Sequence, residues 1–306
     1  MVVCVIGGAG FLGRRVVRLL AARGHEVVCA DIKTGDFFED LGSQVRMVHA
    51  DLTQFEDIAA AMVTHKPEVV INLSYMLGDY LPRPAMKVNI LGMDNCFEAA
   101  RLCGVRHVVY ASSIAVNGSQ SHYGNRKIKE ADPTTAAKQY AVHKVFNEWQ
   151  AKEYCEKHGM CITGVRPGNV AGIDKVLGSV DHVQCIVKPA LGQKASFPYR
   201  DRMRCVVYVD DMAEIFTRIA LAEKPEHTVY NSGGETLSLG EIAETVRKFI
   251  PEADITFESE TGGVDASGGY MFDNERVVKE FGIRFEPYEQ RVAEMIEIAR
   301  RSNTLR

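Results

Sequence analysis

The stretch Val2-Val3-Cys4-Val5-Ile6-Gly7-Gly8-Ala9-Gly10-Phe11-Leu12-Gly13 decides the fold. Five apolar residues run straight into a glycine-rich turn, and an amphipathic stretch at 14–22 follows. That order reads as strand, tight turn and helix. Glycines remove Cβ atoms where the chain bends sharply and where a pyrophosphate must approach backbone N–H groups. The helix N-terminus then offers partial positive charge to the phosphates. An acidic residue, Asp31, closes the next strand-like run at 26–30 and completes the pattern of a dinucleotide site. The turn fits G-x-G-x-x-G from Gly8 and G-x-x-G-x-x-G from Gly7, so its own spacing does not choose a family.

Working outward, strand-like runs recur at 2–6, 26–30, 45–49, 69–73, 107–112 and 161–166. Helical patterns fall at 10–22, 53–64, 85–103 and 136–157. This alternation implies right-handed βαβ units and a parallel sheet covered on both faces, and the strands are nearly all apolar, as doubly covered strands must be. The fold expected is α/β: a Rossmann-like doubly wound parallel sheet with a smaller, interleaved C-terminal α/β substrate domain. Residues 1–168 form the dinucleotide-binding domain, with 204–222 packing back onto it, and 169–306 form the substrate-binding region. Beyond Arg166-Pro167 the elements shorten. Helices are expected at 178–192, 211–221, 239–250 and 288–301, and strands at 204–209 and 229–230. The glycine-rich segment 261–269 reads either as a surface connection or as a lid over the site.

Composition bounds the function. The chain has 306 residues, a 46% hydrophobic fraction and a formal charge of −4. Nothing in that balance favours nucleic acid or an anionic membrane as a partner. The eight cysteines, at 4, 29, 96, 103, 155, 161, 185 and 205, form no C-x-x-C pair and read as reduced core residues. The first apolar run breaks at Gly7, and no stretch approaches the roughly 18 apolar residues of a membrane span. A cytoplasmic protein is expected, and no metal ligands are assigned.

A second constellation carries chemistry. Tyr140 and Lys144 lie four apart in a helical pattern and share one face. Free tyrosine titrates near pH ~10, and an ammonium and a cationic nicotinamide ring nearby both favour its phenolate. A second Tyr-x-x-x-Lys pair, Tyr123 and Lys127, lies beside Gly124 and Asn125 in a loop-like stretch, where no helix would align it. Ser113 ends the buried run Tyr110-Ala111-Ser112, at the carboxyl end of a strand, where open parallel sheets bind ligands. A serine there can orient a substrate oxygen or cap the following turn.

On these residues the chain resembles the extended short-chain dehydrogenase/reductases, the NAD-dependent epimerase/dehydratase family. Gly7, Gly10, Phe11, Leu12 and Gly13 fit its glycine turn, Asp31 its ribose-binding acid, and Asp51-Leu52 its adenine-side pair. Asn72-Leu73-Ser74 occupies the strand end that lines the cofactor, where the family more often has His-x-Ala. Asn89 matches the V-N-x-x-G helix, Arg166-Pro167-Gly168-Asn169-Val170 the R-P-x-x-V turn, and Val209-Asp210-Asp211-Met212-Ala213 a late V-D-D-x-A segment. Ser113, Tyr140 and Lys144 match the catalytic triad. The resemblance implies NAD as cofactor, held by Gly7, Gly10, Phe11, Leu12, Gly13, Asp31, Asp51, Leu52, Leu73, Ser74, Asn89, Tyr140, Lys144 and Pro167. It also implies that Ser113 orients the substrate, that Tyr140 transfers its proton, and that Lys144 holds the nicotinamide ribose. A homodimer paired through 85–103 and 136–157 is a further family expectation. Asp31 accepts bonds from a ribose 2′-OH and repels a 2′-phosphate, which favours NAD over NADP.

The substrate half suggests a small-molecule partner. Tyr75, Met76 and Leu77 follow the fourth strand and are expected to face it. Arg200, Arg202 and Arg204 alternate along an extended segment, so all three point to one side. They read as an anion site or as an edge strand blunted by charge. By the resemblance, Arg204 and Asn169 match positions that contact phosphate in family members acting on nucleotide sugars. Ser113 is followed by Ile114 and Ala115 rather than the Asp-Glu pair of the family's dehydratases, which argues against dehydration. A net dehydrogenase at a secondary alcohol or ketone and an epimerase without net redox both remain. A non-catalytic NAD-binding regulator is disfavoured by the intact triad.

Overall fold

The computed structural model describes residues 1–77 and 80–304. The chain opens with β1 (Val2–Ile6), α1 (Phe11–Ala22), β2 (Glu26–Asp31), β3 (Val45–His49), α2 (Phe55–His65) and β4 (Val69–Asn72). A helical rod follows: α3 (Pro82–Met86), a wide π turn at Lys87–Leu91, and α4 (Gly92–Leu102). Next come β5 (His107–Ala111), α5 (Gln139–His158), β6 (Ile162–Arg166) and β7 (Asn169–Ala171). The remainder is α6 (Asp181–Ala190), β8 (Ala195–Tyr199), β9 (Met203–Tyr208), α7 (Val209–Leu221), β10 (Val229–Asn231), β11 (Glu235–Ser238), α8 (Leu239–Phe249), β12 (Ile255–Ser259), α9 (Glu275–Phe281) and α10 (Tyr288–Thr304).

Seven parallel strands form the main sheet in the order β10-β6-β5-β4-β1-β2-β3. The order reverses between β1 and β4, and ligands of such sheets bind beyond the carboxyl ends at that reversal. One face is covered by α1 and α7, whose Val16, Val17 and Leu20 share a core with Met212, Phe216 and Ile219. The other is covered by α2, α4 and α5, through Ile58, Met62, Phe97 and Ala151. The chain is therefore interleaved: α7 and the edge strand β10 belong to the large sheet although they follow β7 in sequence. A second core joins α6, α8 and α10 through Ile186, Ile242, Val246 and Met295, beside the small sheets β11-β9-β7 and β12-β8.

The apolar runs became strands within a residue of the ranges read from sequence, because burial on both faces leaves little choice in all but the edge strand β3. The long helices differ more. The stretch 85–103 is not one regular helix: its π turn at Lys87–Leu91 frees backbone carbonyls that α5 takes up, with Asn147 Nδ2 donating to Asn89 O at 2.8 Å. The helix expected at 136–157 starts later, at Gln139, because Thr135 is held by Val116 and Asn117 and keeps the preceding chain extended. β7, β8, β11, β12 and α9 were not foreseen; they are short, and all but β7 carry exposed positions. The reading of 204–209 as an edge strand is corrected, since β9 lies between β11 and β7. The segment 261–269 is tied down: Asp201 accepts from the Gly262 and Gly263 N–H groups, and Ser267 Oγ accepts from Met203 N–H. All eight cysteines are unpaired. Among the described residues no helix is long and apolar enough to cross a membrane.

Candidate active site

The glycine turn meets the loop after β4 at the sheet's reversal point. Gly7 has φ +78°, and a Cβ there would lie 2.7 Å from Ser74 N. At Gly13 a Cβ would lie 2.2 Å from the Gly7 carbonyl oxygen, so only glycine lets α1 start this close to β1. Gly10 precedes α1 without a side-chain cap, and no acidic residue occupies the first turn. The N–H groups of Phe11, Leu12 and Gly13, at the start of α1, are thus left to an external anion. Asp31 is buried beside the turn, where its carboxylate accepts from Ala9 N–H at 3.0 Å and Lys33 N–H at 2.9 Å. Each oxygen keeps a lone pair for a ribose hydroxyl.

Other residues assigned to the cofactor also serve the frame. Asp51 accepts from Thr53 N–H at 2.8 Å and shapes the turn into α2. Leu52 is buried against Gly92 of α4. Asn89 sits in the π turn and clamps the loop beyond β4, accepting from Met76 N–H at 2.8 Å and donating to Met76 O at 3.1 Å. Both ends of its amide are engaged there, so it acts on that loop. Leu73 and Ser74 continue from β4, and Pro167 follows β6, where its carbonyl accepts from Ile114 N–H at 3.2 Å.

Ser113, Tyr140 and Lys144 converge. Tyr140 stands in the first turn of α5, Lys144 one turn later, and Ser113 just beyond β5. The Ser113 hydroxyl accepts from Ala115 N–H at 3.1 Å and stands close enough to the Tyr140 phenol to favour its ionised form, so this serine both caps a turn and meets the tyrosine. Burial pushes the phenol's pKa up and Ser113 pulls it down; burial wins, leaving it above its ordinary value. Lys144 is 2% exposed, and its amine donates to Ala111 O. Burial drives its pKa well down, against the opposing charge of Glu148. The influences acting on the phenol in this arrangement are burial and Ser113.

Tyr75 fits between the pair. Lys144 Nζ lies 3.2 Å from the centre of its ring, whose plane meets that of Tyr140 nearly edge-on at 5.5 Å. The buried Tyr75 hydroxyl has no hydrogen-bond partner. Behind Lys144 lies a network the motifs did not indicate. Glu148, one turn further along α5, accepts from Arg166 Nε at 2.8 Å, Arg166 Nη2 at 2.7 Å and the Ser112 hydroxyl at 2.5 Å. The four-residue step from Lys144 was the only available signal. Tyr123 stands apart from these three; its hydroxyl lies within hydrogen-bond distance of the carbonyls of Asn117 and Pro133 and donates its one proton between them.

The substrate half departs further from expectation. Asn169 Oδ1 accepts from Cys205 N–H at 3.0 Å and ties β7 to β9. Arg200 pairs with Glu244 at 2.8 Å. Arg204 is buried and grips Asp181 with two nitrogens instead of standing open to a ligand.

The model of the NAD dependent epimerase/dehydratase family matches residues 3–233. The chain belongs to the NAD-dependent epimerase/dehydratase family. A UDP-glucose 4-epimerase of Mycolicibacterium smegmatis is 31% identical over 255 residues, 79% of this chain and 77% of that protein. The UDP-glucose 4-epimerase of Thermus thermophilus, crystallised with NAD, superposes with a TM-score of 0.84 at 24% identity, covering 98% of this chain and 99% of that one. An L-threonine dehydrogenase from Cupriavidus necator gives a TM-score of 0.83 at 21% identity, covering 97% and 99%. At these identities the solved structures establish the fold. The family membership makes the protein an NAD-dependent enzyme of the short-chain dehydrogenase/reductase superfamily.

Proposed function

We propose that this family member is an oxidoreductase that moves a hydride at a secondary alcohol or ketone carbon of a small polar or sugar-like substrate, with Tyr140 as acid and base. The observation that carries the reading is the convergence of Ser113, Tyr140 and Lys144 at the carboxyl edge of the sheet. When bound, NAD supplies the hydride acceptor. Gly7, Gly10 and Gly13 and the first N–H groups of α1 would hold its pyrophosphate and Asp31 its adenosine ribose. Asp51 and Leu52 would face the adenine side, and Leu73, Ser74, Pro167 and Lys144 the nicotinamide end. Ser113 orients the substrate oxygen. Tyr140 takes the hydroxyl proton during oxidation and returns it during reduction. A positive charge brought near the phenol lowers its pKa, which burial alone has raised.

An epimerase that returns the hydride to the same substrate is a second reading, favoured by the 31% identity with a UDP-glucose 4-epimerase. Absorbance at 340 nm separates the two. With a substrate found by thermal-shift screening in the presence of NAD, NADH should accumulate stoichiometrically with product. Turnover of that substrate to a stereoisomer with flat absorbance would overturn the dehydrogenase reading in favour of the epimerase.

We also infer a cytoplasmic homodimer. The eight free thiols suit a reducing compartment. On α5, Val142, Phe146 and Trp149 are 47%, 42% and 52% exposed at helical spacing, and the last two rings lie 5.3 Å apart. A stripe of this kind favours burial against a second copy. Trp149→Glu should shift the protein from dimer to monomer in sedimentation velocity. A wild-type protein that sediments as a monomer at tens of micromolar would rule the dimer out.

A further inference from the structure

The guanidinium expected to receive a substrate anion already holds one. Arg204 is 3% exposed. Its Nε donates to Asp181 Oδ1 at 3.0 Å, its Nη2 donates to Asp181 Oδ2, and its Nη1 donates to Met203 O at 3.0 Å. Every nitrogen of the fork is engaged inside the protein. Asp181 opens α6, and its Oδ1 also accepts from His182 N–H at 2.9 Å. Burial pushes its carboxyl up, but the bonds from His182 and Arg204 win and hold it well below the usual carboxylate range.

The strand that carries Arg204 packs, through the neighbouring Cys205, beside the residue that follows Ser113. Ile114, next to Ser113, donates to Pro167 O, and Ile114 packs in one apolar cluster with Cys205. Cys205 follows Arg204 and is bonded to Asn169 of β7. Lys175 Nζ donates to Val170 O of the same strand at 2.7 Å, and His182 Nε2 lies 3.1 Å from that oxygen. Arg202 Nε is 3.5 Å from Asp181 Oδ2 and makes no hydrogen bond.

We propose that Asp181 is a specificity-determining residue: its carboxylate is a built-in counter-ion for Arg204, so the substrate half accepts a small substrate with at most one negative charge and rejects nucleoside diphosphates. The proposal deepens the oxidoreductase reading and rests on it for the location of the substrate half. A diphosphate at Arg204 would have to displace Asp181, taking from a buried carboxylate its two bonds to the guanidinium and setting it beside a second anion. Once Arg204 and Asp181 cancel, Lys175 and Arg202 remain as the cations of the cluster. Those two suit one carboxylate, as on a hydroxy or amino acid, better than the several charges of a diphosphate.

The test is calorimetric titration of UDP into the wild-type protein and Asp181→Asn, each saturated with NAD. The wild type should show no binding below millimolar UDP, and Asp181→Asn should bind at least tenfold more tightly. The double variant Asp181→Asn/Arg204→Met should lose that gain. Micromolar binding of UDP to the wild type overturns the proposal, as does a gain that survives loss of Arg204. If Asp181→Asn fails to fold, the wild-type titration alone decides. A wild type that does not bind NAD in a parallel titration would sink the oxidoreductase reading and leave the UDP comparison standing.

Discussion

Tyr140→Phe should lower kcat by roughly 10²- to 10⁴-fold while NAD still binds, because the change removes one hydroxyl that transfers the reacting proton. The ring remains, so its edge contact with Tyr75 and the first turn of α5 persist. The loss should fall on kcat more than on KM, since Ser113 and the substrate half are untouched. Stopped-flow absorbance at 340 nm is the measurement; a variant that kept full turnover would remove Tyr140 from the mechanism. The same phenol sets the pH dependence. In the oxidation direction the rate should rise with pH as the phenol loses its proton, at a pH set by burial, which raises its pKa, and by any positive charge brought near it, which lowers it. The Ser113 hydroxyl lowers that pKa. Ser113→Ala should therefore displace the rising limb to higher pH, and a limb moved to lower pH would contradict the assigned influence.

Glu148→Ala should destabilise the fold by about 3–5 kcal/mol, the cost of leaving a buried charge without its partner. The side chain of Arg166 is 4% exposed and that of Glu148 12%, and Glu148 takes two guanidinium nitrogens as well as the Ser112 hydroxyl. Glu148→Gln keeps an acceptor for Arg166 and should lose less. Urea unfolding at neutral pH reads both; a loss under about 1 kcal/mol for the alanine variant would place the pair among the weak, solvent-screened ones. A second effect should accompany the first. Glu148 is the charge that opposes the downward push of burial on the Lys144 amine, so its removal should lower that pKa further. Any residual activity of Glu148→Ala should then depend on pH differently from the wild type.

The sheet was legible because its strands are apolar on both faces and its turn is glycine at each crowded position. Gly13 is the clearest case, since a Cβ there would overlap the Gly7 carbonyl. The triad was legible from helical spacing and a strand end. Less could be read from residues whose role lies in side-chain partners far along the chain. Asn89 suits a cofactor contact by motif, yet it clamps Met76, thirteen residues away. Arg204 suits an anion site by type and alternation, yet Asp181, twenty-three residues upstream, occupies it. The π turn had no signal either, because it depends on Asn147 and Gln150 reaching across from α5 to the carbonyls it frees.

What the sequence determined by itself was the dinucleotide turn, the parallel sheet, the family and the three residues proposed for proton transfer. Each follows from local chemistry: a missing Cβ, a doubly apolar run, a one-turn spacing. The charge left available in the substrate half was decided only by the tertiary structure. A carboxylate and a guanidinium brought together in a buried place cancel one another, and no pattern along the chain records that they meet.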